Sequence, residues 1–513
     1  MEKNLIKKIF QQAKAAREIH EPEISEAYKF TFPNRDIWRV QEGETDRTKL
    51  FDATAADGVQ NLVSTILTLL IPQNQQWAYV DVRDEIKPKV APDIRRMLDM
   101  ANKTVFKTIR DSNFYVAASE ALTDCVISGT GAISMIGSDT GIDFLAIPTH
   151  QLYFLENHKG EVDTVFRQHH LTAQYLIEKY GEDKVGREVV TLAQSNPHGK
   201  VKILESCMKG PQDEAMMYRV YLEDKMILLE EKVSPAQMFI VFRFGKTLGS
   251  IWGESPVRQA APHIRVANQA TQLIMTQSAW AGLGAWQTDG SESTVNFANM
   301  KIEPGDVITV DSELRPIPFP GNFSITFQTV EDQRQKVRTM LFNDAIIPPQ
   351  ESQQMTAFEV QVRQAEFFRR IGPYGLRLEI EFLRPIIKNL ITRLQLRGEL
   401  PEFINDNQTY EIVVNSAVKK GIGMSEIQRD IQLLQIVSQL GPEAVAQVDI
   451  QSLARKILRD GDMSPEVLLD PDVVNERLQA AQQQQMLAQA AEQLQAQDPR
   501  ASIQPQSPQP NLE

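Results

Sequence analysis

Cysteine is scarce. Two in 513 residues, Cys125 and Cys207, are too few and too far apart for a disulfide framework or a zinc ribbon, and point to a reducing compartment. Long apolar runs are missing as well. The strongest, Leu62 to Ile71, is about half of what a membrane span requires, so a buried helix and no membrane partner are expected. The N-terminal MEKNLIKKIFQQAKAAREI lacks the apolar core of a secretory signal. Its Leu5, Ile9, Phe10, Ala13 and Ala16 recur instead at helical spacing. Positive charge is also short: 54 Lys and Arg against 67 Asp and Glu give a net charge of −13. Such a surface keeps a chain soluble and opposes tight wrapping of nucleic acid, though not a surface that nucleic acid slides past.

Signatures of catalysis are absent too. FGKT at Phe244–Thr247 holds the second half of a P-loop, but Ile240 stands where the first glycine belongs, so the phosphate nest is not built. Neighbouring residues on a strand face opposite ways, which makes His169–His170 a poor chelating pair. HExxH, EF-hand and GxSxG patterns do not occur. The carboxylates Asp81, Asp84 and Glu85, or Glu223 and Asp224, act as acid and base only if a pocket holds them at a set separation. The expectation is a chain with no catalytic residue, metal or cofactor.

What remains is a globular composition, 42% hydrophobic and 24% charged, over a length that calls for two or more packed units. The class read from the pattern is α+β, mainly α. Residues 1–120 carry apolar stripes at helical spacing, with Asp93 as a cap and Pro72 as a stop. From about 131 to 245, short apolar runs between Gly, Pro, Asn and Asp read as strands, interrupted by one helix, TAQYLIEKYG. Ser255–Pro256 begins a long helix as N-cap and first residue. Short strands and turns follow, then a second helix in VEDQRQKVRTMLFNDA and the polar loop IIPPQESQQ.

After that loop, Thr356 and Glu359 fit a capping box. Glu359/Arg363 and Glu366/Arg370 add i,i+4 pairs with the acid first. Gly372–Pro373 predicts a kink. Beyond it Leu376, Ile380, Leu383, Ile387, Leu390 and Leu394 form an apolar stripe that ends at Arg397–Gly398. TYEIVVNS reads as a strand, and amphipathic helices follow it. RLQAAQQQQMLAQAAEQLQAQ has high helix propensity but little to fill a core, and DPRASIQPQSPQPNLE reads as disordered. Large size without a catalytic signature, and two helices holding a small β module away from the body, suit an elongated subunit of a ring.

Three segments carry a resemblance. TAFEVQVRQAEFFRRIGPYGLRLEIEFLRPIIKNLITRLQLRGELP resembles the T-A-x-E-V-x-x-R-x-x-E helix, the Gly-Pro break and the continuation found in the head-to-tail connector (portal) proteins of short-tailed phages. LFDATAADGVQNLVSTILTLLIPQNQQWAYV is similar to that family's D-x-T-A helix and P-x-x-x-x-W turn. GSIWGESPVRQAAPHIRVANQATQ resembles its Y-G-R-S-P-x-x-x-A-L-P-D-I segment, with Trp252-Gly253-Glu254 for Tyr-Gly-Arg and His263 where an Asp is common. Together they span roughly residues 50 to 401.

The resemblance implies a portal fold in a ring of about twelve subunits around a double-stranded DNA channel at one capsid vertex. It implies a wing over 1–255, a stem helix over 256–282, a clip over 283–327 and a second stem helix over 329–343. A tunnel loop over 344–355, a kinked helix and wing closure over 356–419, a crown over 420–476 and a helical barrel with a tail over 477–513 complete it. DNA would be faced by Pro348, Pro349, Gln350, Glu351, Ser352, Gln353 and Gln354, unless the loop packs on a neighbouring subunit. Arg334, Lys336 and Arg338 would give weak phosphate contacts, or serve helix solubility or ion pairs between subunits. Asp289, Glu292, Asp306 and Asp311 would form the clip's partner surface. Thr356, Glu359, Arg363, Glu366, Gly372 and Pro373 would anchor and kink the helix behind the loop. The implied partners are the large terminase subunit, tail adaptor proteins, and the major capsid and scaffolding proteins; the implied location is the virion, after assembly in the host cytoplasm. A tail or capsid protein that never touches DNA is the alternative.

Overall fold

Helix-forming residues with one apolar face dominate the first 130 positions. They fold as α1 (Glu2–Glu18), α2 (Glu21–Thr31), α3 (Thr54–Leu70), α4 (Pro92–Asp111) and α5 (Phe114–Ser128), with β1 (Ala78–Val82) between α3 and α4. The structure is a computed structural model. It describes residues 2–33, 50–73, 75–83, 92–137, 141–210, 215–283, 286–287, 315–316, 323–343, 357–401 and 410–414. All belong to one unit, which extends to Gly421. The run expected to be buried is α3, whose Val59, Leu62, Val63, Ile66 and Leu70 face the core. Asp93 is not a cap: α4 already begins at Pro92, where a missing N–H costs no helical bond.

The next segment forms β2 (Thr130–Gly137), β3 (Ile142–Ala146), β4 (Leu152–Glu156) and β5 (Val162–Thr172). Three helices follow, α6 (Ala173–Tyr180), α7 (Glu182–Val185) and α8 (Arg187–Ser195), then β6 (Lys200–Lys209), β7 (Met216–Leu222), β8 (Ile227–Ser234) and β9 (Phe239–Arg243). The strands read from the sequence are all present, and α7 and α8 are additional. They build two antiparallel sheets, ordered β3-β2-β9 and β4-β5-β6-β7-β8. Phe166, Leu204 and Tyr221 on one face of the larger sheet pack on Ile6, Phe10 and Ala13 of α1. Val165, Ile203 and Val220 on the other face join the main core. His169 is buried with Nε2 3.4 Å from Glu205, while His170 is exposed, as strand alternation requires.

The remaining elements are α9 (Pro256–Leu283), β10 (Trp286–Gln287), β11 (Arg315–Pro316), α10 (Phe323–Met340), α11 (Ala357–Leu378), a π-helical turn (Glu379–Leu383), α12 (Arg384–Leu396) and β12 (Tyr410–Val414). β12 pairs antiparallel with β1, Ala78 opposite Val414, which brings the far end of the unit back to its beginning.

Three expectations change. The second long helix starts at Phe323, not 329, so residues 323–327 are helical rather than strand and turn. The α-helix runs on through Gly372–Pro373, with Pro373 on the exposed side, where water can satisfy the carbonyl left without a donor. The interruption is the π turn instead. Its wider turn lets Glu381, Phe382 and Leu383, consecutive in sequence, all reach inward. The same turn splits the apolar stripe: Leu383, Ile387, Leu390 and Leu394 are buried, but Leu376 and Ile380 are 51% and 59% exposed. Phe367, Ile371, Leu378 and Phe382 take the core face in their place.

Arg243 ends β9 and is 1% exposed. Its backbone N–H and Nε both donate to Glu381 Oε2 at 3.0 Å, and Nη2 donates to Glu381 Oε1 at 2.7 Å. Nη1 serves Glu156 of β4 and the Ile251 carbonyl, and Nη2 also reaches the Gly160 carbonyl. Every donor of the guanidinium is therefore used. Burial opposes its charge, but Glu381 and Glu156 hold the pKa above that of an ordinary arginine. Lys246 adds a second cation on Glu156 and Arg377 a second on Glu381. This node fastens both sheets to the π turn.

A second node fastens α9 and α10 to the start of α3. Asp52 Oδ1 accepts from Thr54 N–H at 2.9 Å and Asp52 Oδ2 from Arg334 Nε at 2.7 Å. Asn268 Oδ1 takes the N–H groups of Phe51 and Asp52. Burial works against ionising Asp52, yet the hydrogen bonds from Thr54 and Arg334 outweigh it and depress its pKa. Removing Glu381 as Glu381→Ala leaves Arg243 buried without its main partner, and the urea unfolding midpoint should fall by an amount equivalent to about 3–5 kcal/mol. A shift below about 1 kcal/mol contradicts the node's weight. A depressed carboxylate contributes stability above its unfolded pKa of about 4 and loses it as pH falls through the folded value. The stability gap between the parent and Asp52→Asn should thus be widest above about pH 4 and close below it; a gap independent of pH refutes this.

Candidate functional site

Of the two long helices, α9 begins deep in the unit and α10 ends there. Ser255 is fully buried, and its Oγ accepts the N–H groups of Val257 (3.0 Å) and Arg258 (3.2 Å), the N-cap read from the sequence. The same hydroxyl lies 2.7 Å from the Val126 carbonyl, which pins α9 to the end of α5. Just before it, Gly253 rests on the backbone of Gly129; a Cβ at Gly253 would sit 2.0 Å from the Gly129 oxygen. The glycine and serine of the GESP segment are thus packing requirements.

From there α9 buries Val257, Ala260, Ile264, Ala267, Asn268 and Thr271. From Gln272 to Ser278 no residue is buried, so this part of the helix leaves the core. α10 packs against α9, and His263 Nδ1 lies 2.7 Å from Gln333 Oε1. The strands β10 and β11, paired antiparallel, lie between the two helices in sequence. Leu273, Met275 and Phe327 on the helices are 56%, 53% and 62% exposed.

The candidate cations on α10 differ. Arg334 is committed to Asp52, and Arg338 Nη1 pairs with Glu331 at 2.8 Å. Lys336 is exposed and makes no ion pair among the described residues.

α10 closes in an unusual way. Phe342 has φ +61, a left-handed conformation that a bulky side chain rarely adopts. Its N–H donates to the Thr339 carbonyl (3.2 Å) and that of Asn343 to the Arg338 carbonyl (2.8 Å), the Schellman pattern. Gly398 ends α12 with the same two bonds at φ +75, using the glycine expected there. Leu341 fills a notch that Gly58 leaves in α3, where a Cβ would lie 2.4 Å from its Cδ1. The ring of Phe342 meets Tyr374 at 5.7 Å, and Tyr374 stacks on Phe244 at 4.6 Å. Arg370 lies 5.2 Å from the Phe342 ring, and its Nη2 caps the Thr339 carbonyl at 2.5 Å.

Helix α11 begins at Ala357. Thr356 itself and the side chains of Glu359 and Arg363 lie outside the described residues, as do Pro348–Gln354, Asp289, Glu292, Asp306, Asp311 and everything beyond Val414. Among the described residues no group of His, Cys, Asp or Glu is placed to hold a metal, and no helix is long and apolar enough to cross a membrane. Sequence reasoning missed Arg243, though an arginine inside the apolar run FIVFRFG was a usable signal. It also missed Phe342, for which no signal existed.

A family model described as "Bacteriophage head to tail connecting protein" matches residues 3–468. The portal protein of Salmonella phage epsilon15 is 21% identical over 482 residues, 88% of this chain and 86% of that one. A probable portal protein of Bordetella phage BPP-1 is 21% identical over 523 residues, 96% of this chain and 93% of that one. Among solved structures, a chain from the virion of a native gene transfer agent particle superposes with a TM-score of 0.38 at 8% identity, over 80% of this chain and 88% of that one. With the family match running from residue 3 to residue 468, this chain belongs to the bacteriophage head to tail connecting proteins, the portal family.

Proposed function

We propose that the chain assembles into a closed ring of about twelve copies at one vertex of a phage capsid and serves as the conduit for double-stranded DNA. The observation that carries this reading is the α9–α10 pair. It leaves the core with the large apolar side chains of Leu273, Met275 and Phe327 exposed, and neighbouring copies in a ring would cover them. Family membership sets the context. In this reading residues 1–255 with 356–419 form the wing, α9 and α10 the stem, and residues between them the clip that docks first the terminase and then the tail adaptor. Residues 344–355 form the tunnel loop, and the crown and barrel occupy 420–513. Capsid and scaffolding proteins surround the wing, and the chain has a structural role in the virion, not a catalytic one.

The acidic balance of −13 per chain keeps the channel from gripping phosphates, so DNA moves without sticking. Of the three candidate cations, Lys336 has the charge to spare for passing phosphates, since Arg334 and Arg338 are paired within the chain.

Native mass spectrometry of the purified chain under assembly conditions should find a ring of about twelve copies, and a monodisperse monomer contradicts the proposal. Lys336→Gln should leave ring formation intact. It should reduce the slope of log affinity for duplex DNA against log salt by about 0.9 for each phosphate that the lysine no longer neutralises. An unchanged slope removes Lys336 from the DNA-facing role.

A further inference from the structure

Phe342 sits in a conformation that costs a non-glycine residue about 1–3 kcal/mol and persists only where the surroundings over-determine it. Gly398 shows that the chain closes another helix with the same hydrogen bonds at no such cost. The aromatic ring at position 342 therefore has a use that outweighs the strain. Its contacts identify that use: Tyr374 and Arg370, both on α11, together with Phe244, which follows β9. Arg370 takes part twice, over the ring and on the Thr339 carbonyl of α10's last turn. An apolar crevice of only about 10 Å³ lies beside Tyr374, lined also by Ile66, Leu70, Ile371 and Leu378. Tyr374 is therefore held both by this packing and by the rings of Phe342 and Phe244.

We infer that Phe342, Arg370 and Tyr374 are positioning residues that clasp the C-terminal end of α10 to α11. The inference rests on the proposed portal function, because it assigns the clasp a task within it. Force that passing DNA applies to α10 goes through the clasp into α11, and from there through the π turn and Glu381 to Arg243 and the sheets. The stem and the long helix then move as one body.

Two readouts on the full-length chain test this. Hydrogen exchange reads the clasp itself. The amides of Phe342 and Asn343, bonded to the Thr339 and Arg338 carbonyls, should be protected in the parent and in Tyr374→Phe. In Tyr374→Ala they should exchange at least tenfold faster, while amides of β6 and β7 are unchanged. Exchange in Tyr374→Ala equal to the parent overturns the clasp whatever the ring does. The second readout is the fraction of DNA-filled particles. With ring assembly at the parental level, Tyr374→Ala and Arg370→Gln should lower it several-fold, and Tyr374→Phe should not. Parental filling in both overturns the mechanical role. Should Tyr374→Ala fail to assemble, Arg370→Gln, which leaves every aromatic ring in place, decides the matter alone. If the parent itself forms no ring, the portal reading fails, and the exchange result still stands as a test of the clasp.

Discussion

Arg243 is the point on which the unit depends. A guanidinium buried to 1% exposure is tolerable only if its donors are all matched, and here the joint draws on three parts of the fold. Glu156 belongs to the five-stranded sheet, Arg243 itself to the three-stranded one, and Glu381 to the π turn of the long helix. The π turn carries the carboxylate that pairs with the arginine and, next to it in sequence, the phenyl ring that enters the core. Phe382 in turn packs on Phe242 at 4.2 Å, next to Arg243 in sequence, so the polar and apolar halves of the joint support each other.

The same logic of few, over-determined joints runs down the helices. α9 is fixed at its start by Ser255 and Gly253 against the end of α5, and in its middle by Asn268 and Thr271 near Asp52. α10 is fixed by Arg334 to Asp52 and by Phe342 to Tyr374. Beyond these joints the outer portions of both helices carry exposed apolar side chains. The inner joints hold the two helices to the core, and in the proposed ring copies of the chain cover the outer faces.

Much of this was legible in the sequence, for identifiable reasons. Strand alternation put His169 and His170 on opposite faces without reference to any other part of the chain. Ser255–Pro256 and Arg397–Gly398 marked helix ends because caps are local chemistry. What could not be read depends on partners distant in sequence. The pairing of β1 with β12 joins residues more than three hundred positions apart, and neither strand signals the other. A helix interruption was expected at Gly372–Pro373 because proline's effect is local, whereas the π turn at Glu379–Leu383 has no local marker in the sequence. The left-handed Phe342 was illegible because the expected marker there is glycine or asparagine. In the candidate site, Arg334 and Arg338 were read as phosphate contacts, solubilising charges or ion-pair partners between subunits, because Asp52 and Glu331 of the same chain could not be known to hold them. The resemblance in three segments located the family, and it is the part of the reading that composition alone could not have supplied.

In the proposed function this frame is repeated around an axis through which DNA passes. Reconstruction of particles without imposed capsid symmetry tests it most directly, with the chain located by a tag. The account predicts the chain at one vertex of each particle, as a ring of about twelve copies around axial DNA density. Tagged density at every vertex, or in the tail away from the capsid, contradicts it.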